Sequence, residues 1–208
     1  MKDIIIFDYD GVLADSLDLT ISIYNDLSSK YGVKKIEDKD DFTKFFYDNF
    51  FIGFKKNGIK PELAPLFLNE ILEGLSKNLE KIPIFPGIKE ILSSLAEKYK
   101  LVIVSSNASQ LPLGFLENHG ITEISEVIGS DKERSKVKKI LKIKKENPKS
   151  RIFYVGDTVG DIDEGRAAKV FTVAAGWGFH SKEDLLGANP DFLAESPQEL
   201  LNIFIKGQ

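Results

Sequence analysis

The chain has 208 residues, enough for one large domain or a core with a smaller insertion, and its 42% apolar and 29% charged content reads as soluble and globular. Lys and Arg number 28 against 32 acids, so the net charge of −4 gives no reason to expect a nucleic-acid or acidic-membrane partner. The absence of cysteine excludes disulfides, thiolate metal sites and cysteine nucleophiles together.

The opening Met1-Lys2-Asp3 and its four following apolar residues are too short and too quickly acidic for a signal peptide. No apolar run approaches membrane-spanning length, so the expected location is the cytoplasm and the expected partners are small molecules. Ile4-Ile5-Ile6-Phe7 suits a strand buried on both faces of a parallel sheet, and Gly11 marks the tight turn that ends it. Alternation places Asp8 and Asp10 on one side of the chain with Tyr9 opposed.

Leu17, Ile21, Tyr24, Leu27 and Tyr31 recur at mostly three- and four-residue spacings, which predicts an amphipathic helix over 17–31, stopped by Gly32. Residues 41–57 are dense in aromatics (Phe42, Phe45, Phe46, Tyr47, Phe50, Phe51, Phe54), and a stripe of this kind reads as packing before it reads as a ligand box. Pro61 at a first helical position predicts a third helix running through Leu75. From Ile82 the character changes, and short apolar runs alternate with helical patterns. Helices are predicted at 87–99, 109–119, 132–145 and near 160–168, and strands at 101–104, 126–129, 152–155 and 170–173. Ser196, Pro197 and Glu199 stand at the N-cap, first and third positions of a final helix.

Strands alternating with helices predict an α/β fold, a three-layer Rossmann-like parallel sheet. The all-helical stretch after the first strand is too long for a loop and is expected to be an inserted cap. The predicted division is a core of residues 1–15 and 84–208 with a helical cap of 16–83.

Ligands of such sheets lie outside the carboxyl ends of the strands. That rule gathers Asp8 and Asp10, Ser106 and Asn107, the region after Ile128, and Asp157 and Asp161. Taken singly, each acidic group has a bland reading as a turn or cap residue. Together they crowd negative charge, at a cost on the order of 4 kcal/mol per pair at 4 Å near a surface. A hard divalent cation relieves this, and oxygen ligands without adjacent histidine or cysteine favour Mg²⁺.

Other motifs fail. Asp8-Tyr9-Asp10-Gly11 has its glycine at position four of an EF-hand loop rather than six, and Leu19 stands where the bidentate Glu belongs. Ile59 interrupts a near P-loop between Gly58 and Lys60, and Gly176-Trp177-Gly178 lacks the third glycine of a dinucleotide fingerprint.

Asp8-Tyr9-Asp10-Gly11-Val12-Leu13-Ala14-Asp15-Ser16, Val104-Ser105-Ser106-Asn107 and Val155-Gly156-Asp157-Thr158-Val159-Gly160-Asp161 resemble the first, second and fourth motifs of the haloacid dehalogenase-like hydrolases. The tail through Ala167-Ala168, Gly176-Trp177-Gly178 and Pro190-Asp191 resembles the phosphoglycolate phosphatase branch. Over the cap the likeness is only one of position and helicity.

The resemblance implies Mg²⁺-dependent hydrolysis of a small phosphorylated metabolite, phosphoglycolate being the best single choice, by a monomer or homodimer. It implies Asp8 as the nucleophile and Asp10 as the acid and base. Mg²⁺ would be held by the Asp8 carboxylate, the Asp10 main-chain carbonyl and Asp157, with Asp161 a further ligand or a support for the others. Ser106 and Asn107 would bind phosphate, Ser106 being preferred over Ser105. At the third motif the usual Lys-Pro is missing from Asp131-Lys132-Glu133-Arg134-Ser135-Lys136-Val137-Lys138-Lys139. Lys136 is the choice there and Lys132 its rival, while most of this basic run reads as a solvated helix face. His119 and His180 are assigned no catalytic role, and Trp177 lines either the cap interface or the core.

Asp10 argues against dehalogenation, since halide needs no proton. A phosphosugar mutase with the same acid pair and a phosphoacceptor module that keeps its acyl phosphate are the alternatives.

Overall fold

Ile4, Ile5 and Ile6 are wholly buried at the centre of a six-stranded parallel sheet, where each contributes about 1.5–3 kcal/mol by leaving water. The structure is a computed structural model that describes residues 2–46 and 55–206. The strands are β1 (Asp3–Phe7), β2 (Tyr99–Val104), β3 (Ile124–Ile128), β4 (Ile152–Gly156), β5 (Phe171–Ala175) and β6 (Phe192–Ala194). Their order is β3-β2-β1-β4-β5-β6, and every pairing is parallel.

Alternation along β1 makes the layers. Ile5 and Phe7 share one apolar cluster with Leu101, Ile103, Phe153 and Val155, covered by helices Ile88–Ala96 (α4), Gln110–Asn118 (α5) and Pro197–Lys206 (α9). Ile4 and Ile6 face the other way, with Val102, Val104 and Tyr154, onto Ile140 and Ile143 of helix Lys136–Glu146 (α6). Helix Val159–Ala167 (α7) packs on the same side against β4 and β5. The predicted α/β architecture is therefore present.

Between β1 and α4 lie helices Leu17–Tyr31 (α1), Lys39–Thr43 (α2) and Ala64–Lys77 (α3). Gly32 ends α1 in the left-handed region, with φ of 64°. Tyr24 meets Phe67 of α3 edge-on at 5.1 Å, and Phe42 and Phe45 join the same cluster, so these aromatics are packing. Tyr47, Phe50, Phe51 and Phe54 lie outside the described residues. The chain leaves and re-enters the core side by side. Ala14 pairs antiparallel with Ile84, Asp15 N–H donates to the Pro83 carbonyl at 2.9 Å, and Phe85 N–H donates to Leu13 at 3.1 Å.

Some boundaries move. α3 begins at Ala64 rather than Pro61, with Pro65 rather than Pro61 in its first turn. α6 begins at Lys136 rather than 132, because the Ser135 hydroxyl caps it by accepting the Lys138 N–H. The short helix Lys182–Gly187 (α8) and the three-residue strand β6 were not anticipated.

Candidate active site

β1 and β4 are adjacent, and the chain passes out to β3 before returning to β4, so their carboxyl ends flank the point where the strand order reverses. Asp8 follows one strand and Asp157 the other. Both are buried, each directly after a buried apolar strand. Asp8 accepts the Tyr9 N–H at 2.8 Å and the Lys136 ammonium at 2.8 Å. Asp157 accepts the Phe179 N–H at 2.8 Å on Oδ2, whereas its Oδ1 is buried with no hydrogen-bond partner among the described residues.

Two glycines make room for Asp157. A Cβ on Gly11, whose φ is +73°, would stand 1.9 Å from Asp157 Oδ2, and one on Gly178 would stand 2.3 Å from Asp157 Cβ. Asp8, Asp157 and Asp161 each offer an oxygen within 4.8 Å of the others. Burial raises Asp8 to about 7, with Lys136 pulling the other way, and burial together with Asp161 and Asp8 pushes Asp157 well up. An orphaned buried oxygen in a cradle of carboxylates, with no nitrogen or sulfur donor in the cluster, fits a hard divalent cation such as Mg²⁺.

Lys136 stands at the start of α6 and reaches both Asp8, at 2.8 Å, and Asp161, at 2.7 Å. Burial alone would lower its ammonium, but Asp161 and Asp8 outweigh that and hold it well above the usual lysine value. Lys132 turns elsewhere, donating to the Val127 carbonyl at 2.5 Å. Asp161 is also buried, yet the Lys136 ammonium and three hydrogen bonds overcome burial and hold it below the ordinary carboxylate range. Those bonds come from the Tyr154 hydroxyl at 2.7 Å and the Thr158 hydroxyl and N–H at 2.6 and 3.1 Å. Thr158 and Asp161 thereby form a reciprocal cap on α7.

Asp10 is held by different partners. The Ser16 hydroxyl donates to one carboxylate oxygen and the Asn107 amide to the other, each at 2.6 Å. Burial raises its pKa, and these two donors oppose the rise. Ser16 was not anticipated as a site residue; its place at the exit from the core was the available signal. Tyr9 between the two acids points into the opposite cluster, edge-on to Phe115. Ser106 is exposed after β2, while Ser105 is buried and its hydroxyl accepts the Asn107 N–H at 3.0 Å. Asp8, Asp10, Asn107, Lys136, Asp157 and Asp161 thus gather beyond the carboxyl ends of the central strands, Lys136 bridging Asp8 and Asp161 and Asn107 holding Asp10, with Ser106 on the same loop as Asn107.

His180 is buried. Its Nδ1 accepts the Val159 N–H at 3.0 Å, which leaves Nε2 as the donor toward the Thr43 carbonyl of α2 at 3.3 Å. His119 sits against the Ile82 carbonyl at 3.0 Å, and Trp177 donates from its indole to the Val12 carbonyl at 3.1 Å.

The family described as haloacid dehalogenase-like hydrolase matches residues 5–175. The chain belongs to that family. This hydrolase is 29% identical over 202 residues to a phosphoglycolate phosphatase of Synechococcus elongatus, covering 95% of this chain and 94% of the relative. It is 24% identical over 208 residues to a pyrophosphatase of Listeria innocua, covering 96% and 94%. A haloacid dehalogenase-like hydrolase structure from Streptococcus pneumoniae superposes with a TM-score of 0.83 at 23% identity, covering 98% of each chain. Among the described residues, no helix of this hydrolase is long and apolar enough to cross a membrane.

Proposed function

We infer that this hydrolase is an Mg²⁺-dependent phosphatase that cleaves a small phosphomonoester through a phosphoaspartate, with phosphoglycolate as its best single substrate. The observation that carries the reading is the division of partners between two acids two residues apart. Asp8 faces Lys136 and the carboxylate cluster, while Asp10 is oriented by Ser16 and Asn107.

An Asp8 carboxylate oxygen attacks phosphorus as the bond from phosphorus to the substrate oxygen breaks, and Asp10 gives its proton to the leaving alkoxide. Asp10, now a carboxylate, takes a proton from the water that attacks the phosphoaspartate. The bond from Asp8 to phosphorus breaks, and inorganic phosphate leaves. Mg²⁺ held by Asp8, Asp157 and the Asp10 main-chain carbonyl would supply charge against the repulsion between an anionic nucleophile and an anionic substrate. Lys136 adds charge beside Asp8, and Ser106 and Asn107 receive phosphate oxygens. Asp161, whose two oxygens already accept four hydrogen bonds, orients Lys136.

Residues 16–83 act as a cap that closes over the site and selects the substrate, hinged on the two segments 13–15 and 83–85 that the Ala14–Ile84 bridge holds side by side. The absence of cysteine supports a cytoplasmic location. A phosphate-release screen over phosphoglycolate, pyrophosphate and sugar phosphates, with Mg²⁺ present, tests the reading. Asp8→Asn should abolish release from every substrate that the wild type accepts, and retained turnover would sink the mechanism. Isomerised sugar phosphate without free phosphate would indicate a mutase instead.

A further inference from the structure

The buried stripe of α6 is Lys136, Lys139, Ile140 and Ile143. This i, i+3, i+4, i+7 spacing is the core-facing pattern of a helix, so two of the four core positions on α6 are lysine. Lys136 has two carboxylate partners. Lys139 is 1% exposed, and its ammonium donates to a single neutral acceptor among the described residues, the main-chain carbonyl of Ser105 at 2.6 Å. An ammonium has three protons to place, and burying it with one neutral partner is costly. An apolar side chain would hold this position with less loss of solvation.

Burial, then repulsion from Lys136, brings the Lys139 ammonium down to about 8, against the opposing pull of Asp8, Glu164 and Asp131. It is therefore mainly charged at pH 7. The carbonyl that it holds belongs to the peptide joining Ser105 and Ser106. That peptide is trans, as are all described peptides, so its C=O and N–H point in opposite directions. Drawing the Ser105 oxygen toward α6 turns the Ser106 N–H away from α6, on a residue that is exposed and whose N–H has no partner among the described residues. The Ser105 hydroxyl meanwhile accepts the Asn107 N–H, and the Asn107 amide holds Asp10. Lys139 thus holds the 105–107 turn at its first carbonyl, and a charged donor there polarises the peptide so that its N–H becomes a stronger donor.

We propose that Lys139 is a positioning residue for phosphate: through the Ser105 carbonyl it presents the Ser106 N–H to the phosphoryl oxygens and places a second buried cation behind them. The inference rests on the phosphatase reading above and adds a residue to it. Because the phosphoryl group is bound both before and during the reaction, its loss should appear mainly in KM rather than kcat.

The test compares wild type, Lys139→Met and Lys139→Gln. Met keeps the apolar stem without donor or charge, whereas Gln keeps a donor without charge. Calorimetric titration with inorganic phosphate in the presence of Mg²⁺ is paired with kcat and KM for the best phosphomonoester and with thermal melts. Lys139→Met should bind phosphate at least tenfold more weakly and raise KM by a similar factor, with a Tm equal to or above that of wild type. Lys139→Gln should fall between. Unchanged phosphate affinity and KM in Lys139→Met, beside an active wild type, would overturn this inference alone. Weakened binding with a matching fall of Tm in both variants would also overturn it, in favour of a merely structural lysine. A wild type that neither binds nor hydrolyses phosphate esters would overturn the phosphatase reading with it.

Discussion

Asp157 should be a liability to the metal-free protein, and replacing it by Asn should raise the melting temperature while ending turnover. Asn keeps an acceptor for the Phe179 N–H and removes one of three ionisable carboxyls whose oxygens lie within 4.8 Å of one another. At that separation two full charges repel by about 3.5 kcal/mol in an effective dielectric of about 20. Lys136 is already shared by Asp8 and Asp161, and proton uptake by Asp157 relieves part of the rest. The net gain expected for Asp157→Asn is about 1–3 kcal/mol, less than the full repulsion because the native carboxyl already escapes part of it by holding a proton. For a chain of this size that amounts to roughly 2–12 °C.

Burial, with Asp161 and Asp8, holds the native Asp157 carboxyl well above its ordinary value of 3.8, so the native state keeps a proton that the unfolded state has released. Metal-free wild type should therefore lose stability as the pH rises through that window, and the variant should show a flatter profile. Mg²⁺ at about 100 times its Kd adds about 2.7 kcal/mol to wild type. It should add little to the variant, so the order of stability narrows or reverses. Circular-dichroism melts at pH 5 to 8, with chelator and with Mg²⁺, read both effects. The reasoning fails if the metal-free variant melts below wild type, or if Mg²⁺ raises the two equally.

Lys136→Met should lower kcat/KM by about 10²–10³, the usual effect of removing one donor aimed at developing charge, whereas Lys132→Met should leave it unchanged. Steady-state kinetics on an aryl phosphate separates the two lysines. Gly11→Ala combines a left-handed backbone, costing about 1–2 kcal/mol for a non-glycine residue, with a Cβ 1.9 Å from Asp157 Oδ2. It should weaken Mg²⁺ binding, seen as loss of the Mg²⁺-induced rise in Tm.

The core was legible because its strands are uninterrupted apolar runs that end in acids or glycine, and such runs have few other uses. β6 was not, since Phe192–Ala194 is too short to carry a period. α8, six residues long, escaped for the same reason. The start of α3 is ambiguous in sequence because Pro61 and Pro65 both suit a first turn, and the helix uses the second. Among site residues, the motif acids stood out by their positions after strands. Lys139 did not, because a lysine in a basic run looks solvated until its spacing to Ile140 and Ile143 is noticed. Ser16 did not stand out either, because its hydroxyl reaches back six residues to Asp10 across an irregular turn that carries no helix or strand period.

The antiparallel contact between Ala14 and Ile84 has a consequence for descent as well as for motion. Where a segment begins and ends at one bridge, the sheet order is the same whether a long stretch or a tight turn fills the gap. Residues 16–83 can then lengthen, shorten or change their surface without disturbing the pairing of β1 with β2 and β4. On the proposed reading, the acids that break the bond stay fixed at the ends of β1 and β4 while most of the segment that would choose the substrate is free to diverge at its own rate.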